Sequence, residues 1–142
     1  MDRECGIAVL GSGPAGLTAA LYAARESMKT LVIAGASPGG QLTMAPEVEN
    51  FPGFDKPVSG QDLMDRLRKQ AESFGAVISY EVAELFAAEK GTVRIKTSSG
   101  ELRASAAVVA TGATARWLGL ESEKKYIGRG VSACATCDAF FF

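Results

Sequence analysis

The sequence predicts an α/β fold in which short parallel strands alternate with helices. Two apolar runs, residues 6–10 and 30–34, are typical of strands buried on both faces of a parallel sheet. Between them lie a glycine-rich turn, residues 11–16, and a run of strong helix formers, residues 17–25. This order of strand, turn, helix and strand predicts one βαβ unit with a right-handed crossover.

A long loop and a second helix follow. Residues 35–53 are rich in glycine and proline, and ordered loops of this length are often functional. Ser59 is expected to cap the next helix, whose apolar residues fall on one face until Gly75 ends it.

The second half of the chain begins with short strand signals. They lie at residues 76–82, 85–86, 92–97 and 101–105. These signals predict a small antiparallel meander beside the main sheet. Residues 106–110 predict one more buried strand, and from residue 113 the pattern weakens into a connector.

Composition excludes several classes of partner. The 142 residues are 47% hydrophobic, enough for a packed core in about one domain. Fifteen basic and 16 acidic residues give a net charge of -1, which argues against nucleic acid or an anionic membrane surface as the main partner. No apolar run is long enough to span a bilayer, so no membrane is expected. The first residues do not form an export signal, which predicts a reducing, cytoplasmic location.

The turn after the first strand carries a dinucleotide fingerprint. Gly11, Gly13 and Gly16 are spaced as G-x-G-x-x-G, with Ser12, Pro14 and Ala15 between them. The first glycine allows a tight turn, the second lets backbone approach a pyrophosphate, and the third allows close packing of helix on strand. The alternative, an ordinary glycine turn, is disfavoured by the flanking strand and helix.

The kind of dinucleotide is left open by these residues. Nicotinamide sites usually place an acidic residue about 20 positions on, to bond the ribose. No acidic residue lies between Leu31 and Met44. The pattern therefore predicts an adenine dinucleotide and nothing finer.

Cys134 and Cys137 form a second candidate site. Their Cys-x-x-Cys spacing suits a small redox disulfide, and the adjacent Asp138 could move a proton during exchange. The alternative is half of a zinc site, but the chain has no histidine and no second such pair, so no metal is expected. Cys5, far away in sequence, is expected to be a buried or edge thiol.

Weaker candidates come from a strand end and from the long loop. A predicted parallel strand ends in the turn formed by Ala110, Thr111 and Gly112. Ligands of open α/β sheets bind outside the carboxyl ends of the strands, so this turn is expected to lie near the glycine turn. A plain strand-ending turn is the alternative. Gln41 and Asn50 could contact a ligand or satisfy loop backbone.

Together these residues resemble the low-molecular-weight thioredoxin reductases. The matching stretches are residues 11–16, 39–42, 47–53, 110–113 and 128–138. The resemblance implies a Rossmann-like FAD-binding fold with a small antiparallel meander. It also implies FAD along the glycine turn, with four further sites near the cofactor: Gly40, Gln41, Asn50 and the turn of residues 110–112.

The resemblance also implies an activity. NADPH reduces the flavin, the flavin reduces a Cys134–Cys137 disulfide, and the dithiol reduces thioredoxin. Cys137 would face the flavin, Cys134 would attack thioredoxin, and Asp138 would relay the proton. Members of the family are homodimers in which one domain swings against the other.

Two departures from the family are expected to matter. Ala139 stands where the family usually has glycine. A second glycine fingerprint for NADPH is absent, as is the returning segment that completes the FAD domain, so the fold is expected to be incomplete because the chain ends early. Residues 1–112 would form the front segment of the FAD-binding domain. Residues 113–142 would form a connector and the start of the NADPH-binding domain. FAD binding is then expected to be weak or absent, without NADPH turnover.

Two alternatives remain at this point. One is a related flavoprotein dithiol oxidoreductase that acts on another disulfide partner or on oxygen. The other is a truncated flavin-binding module without catalytic activity.

Overall fold

The computed structural model describes the backbone of residues 3–138 and the side chains of residues 3–136. The chain divides into two compact units, Met1–Gly112 and Ala113–Phe142.

Six strands and three helices or turns make up the first unit. In chain order they are β1 (Arg3–Leu10), α1 (Pro14–Arg25), β2 (Thr30–Ile33), a 3₁₀ turn (Gln41–Met44), α2 (Gly60–Ser73), β3 (Val77–Ser79), β4 (Ala83–Glu89), β5 (Thr92–Thr97) and β6 (Gly100–Val109). The second unit contains two short helices, α3 (Glu121–Tyr126) and α4 (Ala135–Asp138).

All six strands belong to one sheet of order β3-β2-β1-β6-β5-β4. The pairs β3–β2, β2–β1 and β1–β6 are parallel, whereas β6–β5 and β5–β4 are antiparallel. The predicted Rossmann-like α/β fold with an antiparallel meander is therefore confirmed. The prediction that residues 76–82 begin the meander is wrong, because their strand, β3, follows the crossover helix α2 and pairs in parallel with β2.

The structure differs from the sequence prediction at β6. Residues 101–105 and 106–110 were expected to form two strands, but they form one strand of ten residues. Its first half pairs with β5 on one side, and it pairs with β1 on the other side over most of its length. The meander is thus hydrogen-bonded to the parallel strands through β6 and continues their sheet.

The carboxyl half of β6 is also more exposed than predicted. Val108 is 39% exposed and Val109 63% exposed, although their apolar run is typical of a buried strand. A strand residue is buried only where another element covers it. The core beneath the helices includes Val9 of β1 and Val32 of β2, and it does not include Val108 or Val109. Apolarity in the sequence could not show which strand the helices cover.

The helix predicted after Ser59 is confirmed. The Ser59 hydroxyl accepts a hydrogen bond from the backbone N–H of Asp62 at 3.1 Å, which satisfies one donor of the first turn of α2. The helix ends one residue before its C-cap, Phe74, and Gly75 follows with a φ of 98°. Gly60 packs so closely against the loop that a Cβ there would lie 1.7 Å from the carbonyl oxygen of Leu42.

A buried carboxylate joins the meander to the parallel strands. Glu81, in the connection between β3 and β4, is 5% exposed and forms a two-oxygen ion pair with Arg3 of β1, in which Nη2 lies 2.7 Å from Oε2. The hydroxyls of Ser79 and Thr97 also donate to this carboxylate. The hydrogen bonds, chiefly from Arg3, lower the pKa of Glu81 to about 2. This carboxylate therefore stays ionised and paired at neutral pH.

We expect Glu81→Gln to lower the free energy of unfolding at pH 7 by about 2 kcal/mol, the scale of hydrogen bonds to a charged group. The pKa of Glu81 is lower in the folded state, so its charge stabilises the fold above the unfolded pKa of about 4.5 and this contribution is lost as the pH falls toward 2. The difference between wild type and Glu81→Gln should shrink over that range in urea unfolding.

Glu84→Gln is the matched control, because Glu84 is exposed and pairs with Lys96 at 3.3 Å on the surface. Its loss should be no more than about 0.5 kcal/mol. An equal loss in both variants, or a difference that does not narrow with acid, would show that the buried pair has no special role.

Candidate functional site

The glycine turn lies where β1 ends and α1 begins. Gly11 has a φ of 110°, and its N–H donates to the carbonyl of Ile33 in β2 at 2.9 Å. Gly13 is the N-cap of α1, and Pro14 occupies the first helical turn, where its missing N–H costs nothing. The turn therefore connects the central strand to the helix through a conformation that favours glycine at position 11.

Two of the three fingerprint glycines are required by packing. A Cβ on Gly11 would lie 2.1 Å from the carbonyl oxygen of Ala110, and one on Gly16 would lie 2.0 Å from the carbonyl oxygen of Gly11. Both contacts are with backbone, which cannot rotate away as a side chain would. A larger residue at position 11 would push the turn away from the chain that leaves β6, and one at position 16 would push α1 away from the turn.

Gly13 differs from both. Its φ is -70°, which any residue adopts, and a Cβ there would have none of the described protein atoms within 4 Å. Neither backbone conformation nor packing within the described residues explains a glycine. A ligand that lies against the backbone would explain it, because a Cβ would occupy the ligand's space.

The start of α1 favours an anionic group. Its N-cap makes no side-chain hydrogen bond, and its first turn contains no acidic residue. Backbone N–H groups at a helix N-terminus have no partner in the helix, and the helix dipole favours negative charge there. Ala15 is exposed and Gly16 buried in this turn. The arrangement suits a pyrophosphate.

Ser12 connects the turn to the long loop, a role that the sequence did not reveal. Its buried hydroxyl donates to the carbonyl of Ala34 at 3.0 Å and accepts from the N–H of Gly39 at 2.9 Å. The two partners lie on either side of the sharp bend after β2. The serine was expected to bind the cofactor as part of the glycine turn, which stays a prediction, and only the path of the loop reveals this second contact.

The loop brings one of its three predicted site residues to the turn. Gly40 has a φ of 70°, and a Cβ there would lie 3.7 Å from the Cα of Gly13. Gln41 is exposed at the start of the 3₁₀ turn. Asn50 is exposed in the segment between Val48 and Val58, which pair as an isolated antiparallel bridge. Their proposed contacts with a cofactor stay predictions.

A cavity of about 230 Å³ lies beside this loop. It is bounded by the turn, the loop, β3 and one face of α2, and its polar lining residues include Ser12, Thr43, Gln61, Asp65, Arg68 and Tyr80. Gln61, Asp65 and Arg68 recur at helical spacing, a signal of one shared face that could have predicted them. The Arg68 guanidinium is paired with Asp65 at 3.5 Å and Glu72 at 3.0 Å.

The turn after β6 lies next to Gly11, as expected for the carboxyl ends of neighbouring parallel strands. The N–H of Ala110 donates to the carbonyl of Leu10 at 2.8 Å, and its own carbonyl faces Gly11. Thr111 and Gly112 are exposed, and Gly112 has a φ of 67°. The site thus gathers residues 11–16, Gly40 and Ala110.

The second unit has a connector with internal order. The Glu123 carboxylate accepts three successive backbone N–H groups, from Leu118, Gly119 and Leu120 at 2.8, 2.7 and 3.0 Å. These bonds lower the pKa of Glu123 and cap the start of α3. A short helix therefore forms in a segment for which the sequence predicted only a connector.

Two cysteines have opposite states. Cys134 is half-buried just before α4 and is disulfide-bonded, and its N–H donates to the Ser132 hydroxyl at 2.9 Å. Cys5 is a free, buried thiol whose pKa is raised by burial, in agreement with its expected structural role. The side chains of Cys137 and Asp138, and Ala139 as a whole, lie outside the described residues.

The described part of the chain has neither a cluster of metal-ligating side chains nor a membrane-spanning helix. It contains no group of three or more side chains suited to hold a metal ion. None of its helices is long and apolar enough to cross a membrane.

Comparison with known proteins places the chain in a family. A model of the pyridine nucleotide-disulphide oxidoreductases matches residues 6–142. The chain is 47% identical over 137 residues to the thioredoxin reductase of Rickettsia bellii, covering 96% of this chain and 44% of that protein. It is 46% identical over 142 residues to a Pseudomonas fluorescens protein named glucosaminate ammonia-lyase, covering 99% of this chain and 44% of that one.

A solved structure shows the same likeness. Thioredoxin reductase from Streptococcus pyogenes superposes with a TM-score of 0.88 at 36% identity, over 100% of this chain and 46% of that one. The predicted resemblance to thioredoxin reductases is confirmed, and the chain spans less than half the length of these relatives. The chain belongs to the pyridine nucleotide-disulphide oxidoreductase family, whose model covers nearly all of it.

Proposed function

We propose that this chain is the FAD-binding and disulfide-bearing part of an NADPH-dependent thioredoxin-disulfide reductase. The observation that carries the proposal is the presence, in one chain of this family, of a glycine turn left open at Gly13 and a disulfide-bonded Cys134 within a Cys-x-x-Cys motif. A dinucleotide cradle and a redox disulfide are the two parts that such a reaction needs.

The residues of the glycine turn fit FAD. The pyrophosphate would lie against Gly13, where a Cβ would have none of the described protein atoms within 4 Å, and against the first turn of α1, which contains no acidic residue. The contacts proposed for Gly40, Gln41, Asn50 and residues 110–112 follow from the resemblance. When bound, FAD supplies the chemistry that links a reduced pyridine nucleotide to a disulfide.

The chain's own sulfur chemistry is a dithiol–disulfide exchange. In the proposal, the thiolate of Cys134 attacks the thioredoxin disulfide, and Cys137 then displaces thioredoxin by closing the disulfide with Cys134. Two electrons leave the dithiol, thioredoxin gains two thiols, and Asp138 carries the proton that the exchange moves. The roles of these three residues come from the resemblance.

The wider activity belongs to the same proposal. NADPH oxidation, the homodimer and the cytoplasmic location are inferred for a protein of the relatives' full length, of which this chain spans less than half. Residues 1–112 would carry FAD and residues 113–142 would lead into the NADPH-binding domain. A related dithiol oxidoreductase with another disulfide partner is the second candidate, because a relative of similar identity has the name of a different enzyme.

We expect Gly13→Ala to weaken FAD binding at least about tenfold, or about 1.4 kcal/mol, because the new methyl group would occupy the space of the pyrophosphate. Its stability should change by less than about 1 kcal/mol, because none of the described protein atoms contacts that methyl. Flavin fluorescence titration and thermal unfolding measure the two effects separately.

Two other variants provide the contrast. Gly16→Ala should lose about 3 kcal/mol of stability through overpacking against the backbone of Gly11. Thr18→Ala, exposed one turn further along α1, should leave both properties unchanged. Unaltered FAD affinity in a folded Gly13→Ala variant would contradict the proposed cradle.

The partner is tested by stoichiometric exchange. We expect the chain, reduced with dithiothreitol and desalted, to reduce one equivalent of oxidised thioredoxin, because its dithiol is the donor. Thiol alkylation followed by mass spectrometry measures the transfer. Cys134→Ser should abolish it, whereas Cys5→Ala should retain it, because Cys5 is buried and free.

Other outcomes separate the alternatives. Transfer to oxidised glutathione but not to thioredoxin would favour the related dithiol oxidoreductase. Transfer to neither, from a chain that binds FAD, would favour the non-catalytic flavin-binding module.

A further inference from the structure

The segment between α3 and α4 is closed by its own backbone. The carbonyl of Tyr126 accepts from the N–H groups of Arg129 and Val131 at 2.8 and 3.0 Å. The N–H of Gly128 donates to the carbonyl of Val131 at 3.1 Å, and Ile127 and Val131 pair as a bridge. Ser132 thus follows directly from a hydrogen-bonded turn, which fixes where its side chain starts.

The Ser132 hydroxyl contacts both polar backbone groups of Cys134. Its Oγ accepts the Cys134 N–H at 2.9 Å and lies 3.3 Å from the Cys134 carbonyl oxygen, to which it donates. Serine side chains that bond backbone two residues on stabilise a local turn. One exposed hydroxyl therefore holds the backbone of the disulfide cysteine.

We propose that Ser132 is a positioning residue that stabilises the oxidised state of the Cys134 disulfide. The role proposed for Ser132 rests on the proposed function at one point, namely that Cys134 is a redox cysteine. A disulfide closes only when both sulfurs are held at bonding distance, so a bond that fixes the Cys134 backbone favours the closed ring. The dithiol has no such requirement and gains less from the same contact.

The equilibrium with glutathione isolates this effect. Two glutathione thiols supply two electrons and two protons, the S–S bond of the chain breaks into two thiols, and one glutathione disulfide forms. The oxidised fraction of Cys134 is read after acid quench, alkylation and mass spectrometry of its peptide, so no other cysteine needs to be replaced.

Ser132→Ala should shift this equilibrium about fivefold toward the dithiol, the net scale of one hydrogen bond, because the two bonds to Cys134 are lost from the disulfide form and the dithiol gains only part of the same stabilisation. Ser132→Thr, which keeps a hydroxyl, should stay within about twofold of wild type. Ser132→Val, nearly isosteric with threonine but without the hydroxyl, should behave as the alanine variant. Ser122→Ala, an exposed serine of α3 in the same unit, is the matched control and should not shift it.

The threonine–valine pair keeps the test decisive even if the alanine variant unfolds locally. Equal equilibrium constants for threonine and valine, or for wild type and alanine, would overturn the proposal. The measurement needs neither FAD nor thioredoxin. If the chain failed to exchange with thioredoxin, the proposed role of Ser132 would therefore still stand. If the Ser132 variants did not change the glutathione equilibrium, the proposed reductase function would still stand.

Discussion

Backbone-to-backbone packing at the glycine turn is the constraint on which the candidate site depends. The Gly11 position faces the carbonyl of Ala110 in the chain leaving β6, and the Gly16 position of α1 faces the carbonyl of Gly11. These contacts set the separation between the central strand, its parallel neighbour and the helix. Since a Cβ would intrude at both points, the residues that build the site also hold the fold together, whereas a Cβ on Gly13 would have none of the described protein atoms within 4 Å.

The loop depends on the same turn. Ser12 is buried and bonds both Ala34 and Gly39, so the chain that leaves β2 is bent back over the turn. That bend brings Gly40 so near the turn that a Cβ there would lie 3.7 Å from the Cα of Gly13. The geometry of the site therefore depends on the Ser12 hydroxyl, which lies between Gly11 and Gly13 in sequence and fixes the path of the loop.

Local patterns predicted the elements, and tertiary contacts explain what they missed. The runs that became β1 and β2 were recognisable because both are covered on two faces, and Ser59 marked the start of α2 by its cap. The nearness of Ala110 to the turn followed from the rule that strand ends meet. The exposure of Val109 could not be predicted, because the sequence shows that a residue is apolar and not whether another element covers it. Nor could sequence pair Arg3 with Glu81, since those residues lie 78 positions apart.

The two units are stabilised by contacts of different range, and this bears on redox chemistry. In the first unit, the ion pair of Glu81 and the packing of Gly11 on Ala110 join residues that lie far apart in sequence. In the second, the bonds that join Glu123 to residues 118–120 and Ser132 to Cys134 span five residues or fewer. The segment that leads into Cys134 is therefore ordered by bonds within a few residues of it. In the proposed exchange, the change between disulfide and thiol at Cys134 would act first on these local bonds, of which the Ser132 contacts lie nearest to the cysteine.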